Sequence, residues 1–122
     1  MARKILLQGS AIRAAYGTLA LLFPQLLTAS IGMSEEQVGA EARYFNRLFG
    51  GRDLLIAALT VLAVRQGEER PATAVNLLCE ATDTVALLEE LRRRGGWDRV
   101  LAVGLAFNVT GYATWARALL AR

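Results

Sequence analysis

Residues 43–53 are Arg-Tyr-Phe-Asn-Arg-Leu-Phe-Gly-Gly-Arg-Asp, and they continue directly into the apolar segment 54–64. This stretch places three arginines and one aspartate at the start of a hydrophobic helix or inside it. Charged side chains are costly to bury unless they find partners. A second apolar segment offers such partners, because Glu80 and Asp83 lie in its middle. We therefore expect a small helical bundle organised around a buried charged site.

The composition is that of an apolar helical protein. The chain has 122 residues, enough for one domain with a single core, and 54% of them are hydrophobic. Fourteen Lys and Arg residues against eleven Asp and Glu give a net charge of +3, but the cations are scattered between apolar blocks. We therefore expect no nucleic-acid partner. The one basic cluster, Arg92 to Arg94, is typical of a helix C-terminus, with anionic lipid headgroups as the alternative partner.

The chain has no histidine and a single cysteine, Cys79. It therefore lacks the ligand set of a zinc or other transition-metal site, a histidine base, and a partner for an intrachain disulfide. We expect no metal and no cofactor. Cys79 is interpreted as a small core residue.

Four helices in a single domain, 1–122, are predicted. Their ranges are about 5–29, 35–65, 71–94 and 98–120. Pro24 should kink the first helix or break it late, and Ser34 to Gln37 form a capping box for the second. Gly50-Gly51 indicates either a kink or a close approach of another backbone. Pro71 fits the first position of the third helix, and Gly95-Gly96 should end it.

Hydropathy favours a membrane protein over a soluble one. The uncharged runs around the four helices are about 21, 11, 9 and 17 residues long, against ~20 for an ordinary span, so only the first and last are comfortable candidates. If the middle two also span, they carry acids inside the membrane, where such residues usually mark function. Trp97 and Trp115 lie near predicted helix ends, as interfacial anchors do. We predict a multi-pass protein of the cell membrane. The alternative is a soluble cytoplasmic bundle with a polar-lined cavity.

The candidate site combines arginines with two polar stripes. Asn76, Glu80 and Asp83 have the helical spacing i, i+4, i+7, and Asn108, Tyr112 and Trp115 repeat it in the last helix. The candidate acid-base residues are Glu80, Asp83 and Asp53. The candidate ligand-binding residues are Arg13, Arg47, Arg52, Asn76, Asn108 and Tyr112.

Two interpretations of this set stay open. In the structural one, the arginines only neutralise the acids, and the ion pairs fix the register of the helices. In the functional one, a carboxylate is left under-paired and serves as a general acid or a proton carrier. Three arginines against three acids give no surplus charge that would decide between them. Asn108 and Tyr112 have an interhelical hydrogen-bonding role as their alternative.

The run Arg47-x-x-Gly50-x-Arg52-Asp53-Leu54 heads one hydrophobic helix, and a helix with a central acid, Asp83, follows it. This arrangement resembles the small DoxX-like four-helix membrane proteins. The resemblance implies a four-helix bundle in the membrane, with motif roles for Arg47, Gly50, Arg52, Asp53 and Asp83. Some members of that family look like accessory subunits of quinone-linked redox enzymes. This chain differs from the family pattern in carrying Glu80 as well and in its weaker hydrophobicity.

Two functions fit these observations. In the first, the bundle encloses an apolar molecule with a polar head, such as a lipid, quinone, terpenoid or polyketide. Arg47 and Arg52 would hold an oxyanion or carboxyl group, Asp53 would fix an arginine, and Glu80 or Asp83 would transfer a proton. Isomerisation, cyclisation or epoxide opening would need neither metal nor histidine.

The second function is that of a non-enzymatic membrane accessory subunit with a structural ion-pair network. A proton-coupled transporter is a third alternative, and it would require a homodimer, since four short helices make a thin pathway. The expected partners are therefore a hydrophobic small molecule or lipid and the membrane.

Overall fold

The computed structural model describes residues 1–30 and 39–121, and within these ranges every regular element is an α-helix. The helices are α1 (Ala2–Leu22), α2 (Pro24–Ser30), α3 (Ala40–Arg65), α4 (Glu69–Arg94) and α5 (Arg99–Leu120). The four long helices form a closed ring in which α1 contacts α3, α3 contacts α4, α4 contacts α5 and α5 contacts α1. The interface between α1 and α3 is the most extensive. The prediction of an all-α protein is confirmed, with one short helix more than expected.

The additional helix arises because the first predicted helix breaks at Phe23. α1 ends at Leu22 and α2 begins at Pro24. Proline has no N–H to donate, and its ring clashes with the preceding turn of a continuing helix. Pro24 is thus a break rather than a kink.

The ends of α4 follow local signals. The sequence predicts Pro71 at the first position of this helix, but the helix begins at Glu69, so Pro71 is its third residue. Proline is tolerated there because the first N–H groups of a helix have no intrahelical partner. Gly95, with φ of 70°, adopts the left-handed conformation and ends α4 as expected. The predicted capping box at Ser34 to Gln37 lies outside the described residues.

Gly17 of α1 and Gly50 of α3 mark the crossing point of these two helices. A Cβ atom on Gly17 would lie 2.7 Å from the carbonyl oxygen of Gly50, and one on Gly50 would lie 2.5 Å from the carbonyl oxygen of Gly17. The helix backbones therefore touch directly. Of the glycine pair, Gly50 serves the close approach of another backbone, and α3 continues through both residues.

Replacing Gly50 by alanine is expected to lower the free energy of unfolding by about 1–3 kcal/mol, because the new methyl group meets backbone that cannot move aside. Gly51→Ala is the matched control, since a Cβ there would have nothing within 4 Å. That variant should be neutral or more stable by up to ~1 kcal/mol, since alanine favours the helix. Thermal unfolding of both variants measures the difference. Equal stabilities would contradict the close crossing.

Asp98 caps the N-terminus of α5, close to the start at residue 98 that the sequence predicts. Its Oδ1 accepts a hydrogen bond from the Leu101 N–H at 2.8 Å, and its Oδ2 accepts one from Arg94. The Leu101 hydrogen bond first, and Arg94 second, hold the pKa of Asp98 below its ordinary value. The ionised carboxylate is therefore the form that the fold favours.

The cap predicts a pH dependence of stability. A carboxyl whose pKa is lower in the folded state contributes stability above its unfolded pKa of about 3.9, and this contribution is lost as the pH falls through the folded pKa. Asp98→Asn keeps a good capping side chain without the charge. We expect the melting temperature of the wild type to fall more steeply below pH ~4 than that of Asp98→Asn. If the melting temperatures of the two proteins fell equally with pH, the role of the ionised Asp98 as a stabilising cap would be contradicted.

Polar groups lie inside the bundle, and large apolar side chains lie outside it. The apolar core is small and consists of Leu6, Val64, Ala72, Trp115 and Ala118. The buried polar residues of the long helices are Ser10, Asp53, Thr60, Thr73, Asn76, Glu80 and Asn108. Each long helix also exposes large apolar side chains, among them Ile12, Leu22, Leu55, Leu62, Leu78, Val85, Phe107 and Val109. The usual distribution of a water-soluble protein is thus partly inverted.

Among the described helices, only α1 is both long enough and apolar enough to cross a membrane by these two criteria. The sequence suggests α5 as a second candidate, but it does not meet them. One such helix is weak support for a membrane protein, because the core helix of a soluble protein or a signal sequence passes the same test.

Candidate functional site

The centre of the site is an ion-pair network between α1, α3 and α4. Arg13 donates from Nη2 to Glu80 Oε1 at 3.1 Å and from Nη1 to Asp53 Oδ1 at 3.5 Å. All three side chains are at most 10% exposed. Arg13 therefore joins two buried carboxylates that belong to different helices.

A second arginine extends this network toward the surface. Arg52 lies 3.5 Å from Asp53 Oδ1 and donates to both oxygens of Asp83, at 3.2 and 3.4 Å. Its guanidinium also lies 4.4 Å from the ring centroid of Phe49, in cation–π contact. Arg52 and Asp83 are about one-third exposed. The network thus has a buried inner pair of acids and a partly exposed outer acid.

Glu80 is also held by α5. The side-chain amide of Asn108 donates to Glu80 Oε2 at 3.0 Å, and the indole N–H of Trp115 donates to Oε1 at 3.3 Å. Gly111 makes room for this arrangement, because a Cβ atom there would overlap the Glu80 carboxylate. The Arg13 guanidinium lies 5.4 Å from the Trp115 ring centroid. Glu80 is the residue at which three helices of the bundle meet.

The charges of the network do not balance. Arg13 and Arg52 face three carboxylates, those of Asp53, Glu80 and Asp83. The third predicted arginine, Arg47, lies apart: it is exposed, and its Nε donates to the backbone carbonyl of Leu21 at 3.3 Å. Within the described part of the chain, the cluster therefore carries one negative charge in excess when every acid is ionised. The expectation of an even count is wrong because Arg47 does not reach the acids.

An open cavity of about 710 Å³ lies against this network. Its wall is mostly apolar and includes Ile5, Ile12, Leu87, Val100, Leu101 and Phe107. Its polar side includes Arg13, Asp53, Glu80, Asp83, Asn108 and Trp115, and three charged residues of the helix ends, Glu90, Arg94 and Arg117, line it as well. Ile12 and Phe107 are more than half exposed, so the cavity opens to the surface between α1 and α5. An apolar cavity with a few convergent polar groups is the usual form of a small-molecule site.

Four of the six predicted ligand-binding residues do not line the cavity: Arg47, Arg52, Asn76 and Tyr112. The Asn76 amide donates to Thr60 Oγ1 at 2.9 Å and to the Ala72 carbonyl at 2.8 Å, deep between α3 and α4. The Tyr112 hydroxyl lies 3.1 Å from Thr84 Oγ1, and Thr84 in turn donates to Asn108 Oδ1. Tyr112 thus supports Asn108, which faces the cavity. Arg52 reaches the cavity only through Asp53 and Asp83.

Sequence reasoning missed three features of the site. Trp115 was expected at an interface, but it is 3% exposed and bonds Glu80. Its i+7 spacing from Asn108 was the available signal. Tyr16 lines the cavity one turn after Arg13, and that spacing alone could have indicated it. Gly111 carries no sequence signal, because its role depends on a side chain from another helix.

Comparison of the chain with protein-family models, curated proteins and solved structures gives no match. The resemblance to the DoxX-like family therefore stays a prediction. The described residues contain no group of three or more His, Cys, Asp or Glu side chains that could hold a metal ion.

Proposed function

We propose that the four long helices span a membrane. The segments 5–22, 48–64, 71–88 and 100–116 are 17 or 18 residues long, and their only charged residues are the five members of the ion-pair network. At 1.5 Å per residue each segment is about 26 Å long, close to the ~30 Å of a hydrocarbon core. The other charged residues of the four described long helices lie outside these segments, toward the helix ends. Internal charge pairing and an apolar exterior are typical of membrane bundles.

The membrane assignment is tested by fractionation and alkaline extraction of the membranes. We expect the chain to stay in the membrane fraction after extraction. Recovery in the soluble fraction would overturn this assignment and favour a soluble bundle.

Within this bundle, the proposed function is to bind an apolar molecule and to transfer a proton to it. The observation that carries the proposal is the excess carboxylate of the network at the wall of an apolar cavity. An uncompensated charge is very costly in such surroundings, so the excess is balanced by a proton held in the cluster. A carboxylic acid facing a bound molecule is a general acid. Isomerisation, cyclisation or epoxide opening of a lipid, quinone, terpenoid or polyketide are the reactions that this arrangement suits.

Glu80 is the residue we assign to proton transfer, because it faces the cavity and is the acid most firmly positioned. Glu80→Gln resembles the protonated acid in shape and charge, but its amide nitrogen cannot accept a hydrogen bond as the carboxylate oxygen does. We therefore expect a folded protein whose melting temperature falls only slightly. Glu89→Gln, on an exposed site outside the cavity, is the matched control. Apolar compounds extracted from each purified protein are compared by mass spectrometry.

The wild type and Glu89→Gln are expected to yield substrate together with product, whereas Glu80→Gln should retain only unreacted substrate. The same mixture from all three proteins would eliminate acid-base chemistry at Glu80. Failure of any apolar compound to co-purify would eliminate the binding function as well.

The second candidate function is an accessory membrane subunit, and a specific observation favours it: all three acids of the network are engaged by arginines. In that case the network is structural, and the resemblance to the DoxX-like family, some of whose members look like accessory subunits, agrees with such a role. Glu80→Gln would then lower the melting temperature markedly, and no compound would co-purify. The two candidates therefore give opposite results in the same experiment.

A further inference from the structure

Tyr16 presents a hydroxyl group in the cavity that the bundle itself does not use. The ring is held by Phe49 on one side and Phe107 on the other, with centroid separations of 6.2 and 5.8 Å. The side chain lines the cavity, and no described residue forms a hydrogen bond with its hydroxyl. A positioned donor without a partner is available to a bound molecule.

The charges near Tyr16 do not favour an anionic ligand. Both guanidinium groups of the network are already engaged by carboxylates, and the cluster has a surplus of negative charge. A carboxylate or phosphate beside Tyr16 would add like charge to the cluster, since the other arginines of the cavity wall, Arg94 and Arg117, belong to the ends of their helices. An ammonium group would displace the proton that the proposed reaction requires. An uncharged oxygen that accepts hydrogen bonds adds no negative charge to the cluster and leaves its proton in place.

The network lies part-way along the cavity and not at its end. On α1 the lining extends from Arg13 back to Ile5, about 12 Å along the helix, and on α5 it extends from Asn108 to Val100 in the opposite direction, also about 12 Å. The cavity therefore continues on both sides of the acids, along Ile5 and Ile12 on one side and Val100 and Leu101 on the other. A chain seated in this cavity would place an internal atom, not its terminus, beside Glu80.

We propose, on the basis of the function proposed above, that the substrate is an apolar chain with an uncharged oxygen function in its interior, such as an epoxide or a carbonyl. The Tyr16 hydroxyl donates one hydrogen bond to that oxygen, and the acid of the network donates the other. The chain enters from the lipid phase through the opening between α1 and α5.

The test uses the full chain in lipid nanodiscs with Trp97→Phe, which leaves Trp115 as the only tryptophan. Four probes of equal chain length are titrated: a mid-chain ketone, a terminal methyl ketone, a carboxylate and a primary ammonium. Binding is followed by the emission of Trp115, which lies in the cavity wall and is buried from the surrounding lipid. We expect the mid-chain ketone to bind at least tenfold more tightly than the other three.

Tyr16→Phe should weaken binding of the mid-chain ketone about three- to tenfold, the usual net value of one hydrogen bond. Tyr44→Phe is the control, because Tyr44 is exposed and lies outside the cavity. Equal binding of both ketones would overturn the internal position, and tightest binding of a charged probe would overturn the uncharged oxygen. Wild-type affinity in Tyr16→Phe would overturn the role of Tyr16.

The proposed function has a separate criterion. If none of the probes binds but an apolar compound still co-purifies, the substrate class is wrong and the proposed function stands. If nothing binds and nothing co-purifies, both are wrong.

Discussion

Replacing Arg13 by methionine is expected to lower the free energy of unfolding by about 3–5 kcal/mol, the largest effect of any single substitution considered for this protein. Arg13 pairs with Glu80 and Asp53, and its removal leaves Arg52 alone with three acids. Methionine retains the apolar part of the side chain, so the loss of stability measures the contribution of the charged guanidinium group. The guanidinium contact with the Trp115 ring is lost as well. Thermal or denaturant unfolding in detergent measures the change.

Arg47→Met is the matched control for this prediction. Arg47 is an arginine of the same apolar region, but it is exposed and bonds only a backbone carbonyl. We expect it to change stability by less than ~1 kcal/mol. Adding Glu80→Gln to Arg13→Met should restore part of the lost stability, because it removes one of the unpaired acids. Independent, additive effects of these two substitutions would show that the residues do not interact.

Gly111→Ala is expected to have the second largest effect, on both stability and ligand binding. Its methyl group would occupy the position of the Glu80 carboxylate. Overpacking costs about 1–3 kcal/mol, and the displaced carboxylate also loses part of its hydrogen bonding to Asn108 and Trp115. We expect a loss of about 3 kcal/mol in stability and the disappearance of the co-purified compound.

Gly104→Ala separates this effect from a general intolerance of α5 to alanine. Gly104 lies two turns earlier on the same helix, and a Cβ atom there would be 3.7 Å from Leu87, an ordinary contact. This variant should be as stable as the wild type or slightly more so. Similar melting temperatures for Gly111→Ala and Gly104→Ala would contradict the position assigned to Glu80.

The register of α1 against α3 explains why the sequence could suggest the network without specifying it. Arg13, Arg52, Asp53, Glu80 and Asp83 were all candidates, because charges in apolar segments must be paired. Which arginine meets which acid depends on the Gly17–Gly50 crossing, which brings Gly17 next to the Asp53 side chain. Arg13, one turn before Gly17, therefore reaches Asp53, whereas Arg47 lies beyond the crossing and stays outside. The surplus acid results from this geometry.

The residues of the cavity wall could likewise be predicted from the sequence only in part. Asn108 and Glu80 were indicated by helical spacing, since residues on one face recur with the period of the helix. The one sequence signal for Tyr16 is its spacing of one turn from Arg13, and its position between Phe49 and Phe107 depends on side chains from two other helices. The role of Gly111 likewise exists only in relation to Glu80.

The sequence by itself determined the helical class, an interruption of the first helix at Pro24, the end of α4 at Gly95 and the start of α5 at Asp98, because each depends on residues within one or two turns of the chain. It also determined that the acids and arginines of the apolar segments had to find one another. The tertiary structure alone decided the pairing, the surplus acid and the cavity that it faces. These depend on how closely helices distant in sequence approach, and only two glycines in contact allow α1 and α3 to cross as they do.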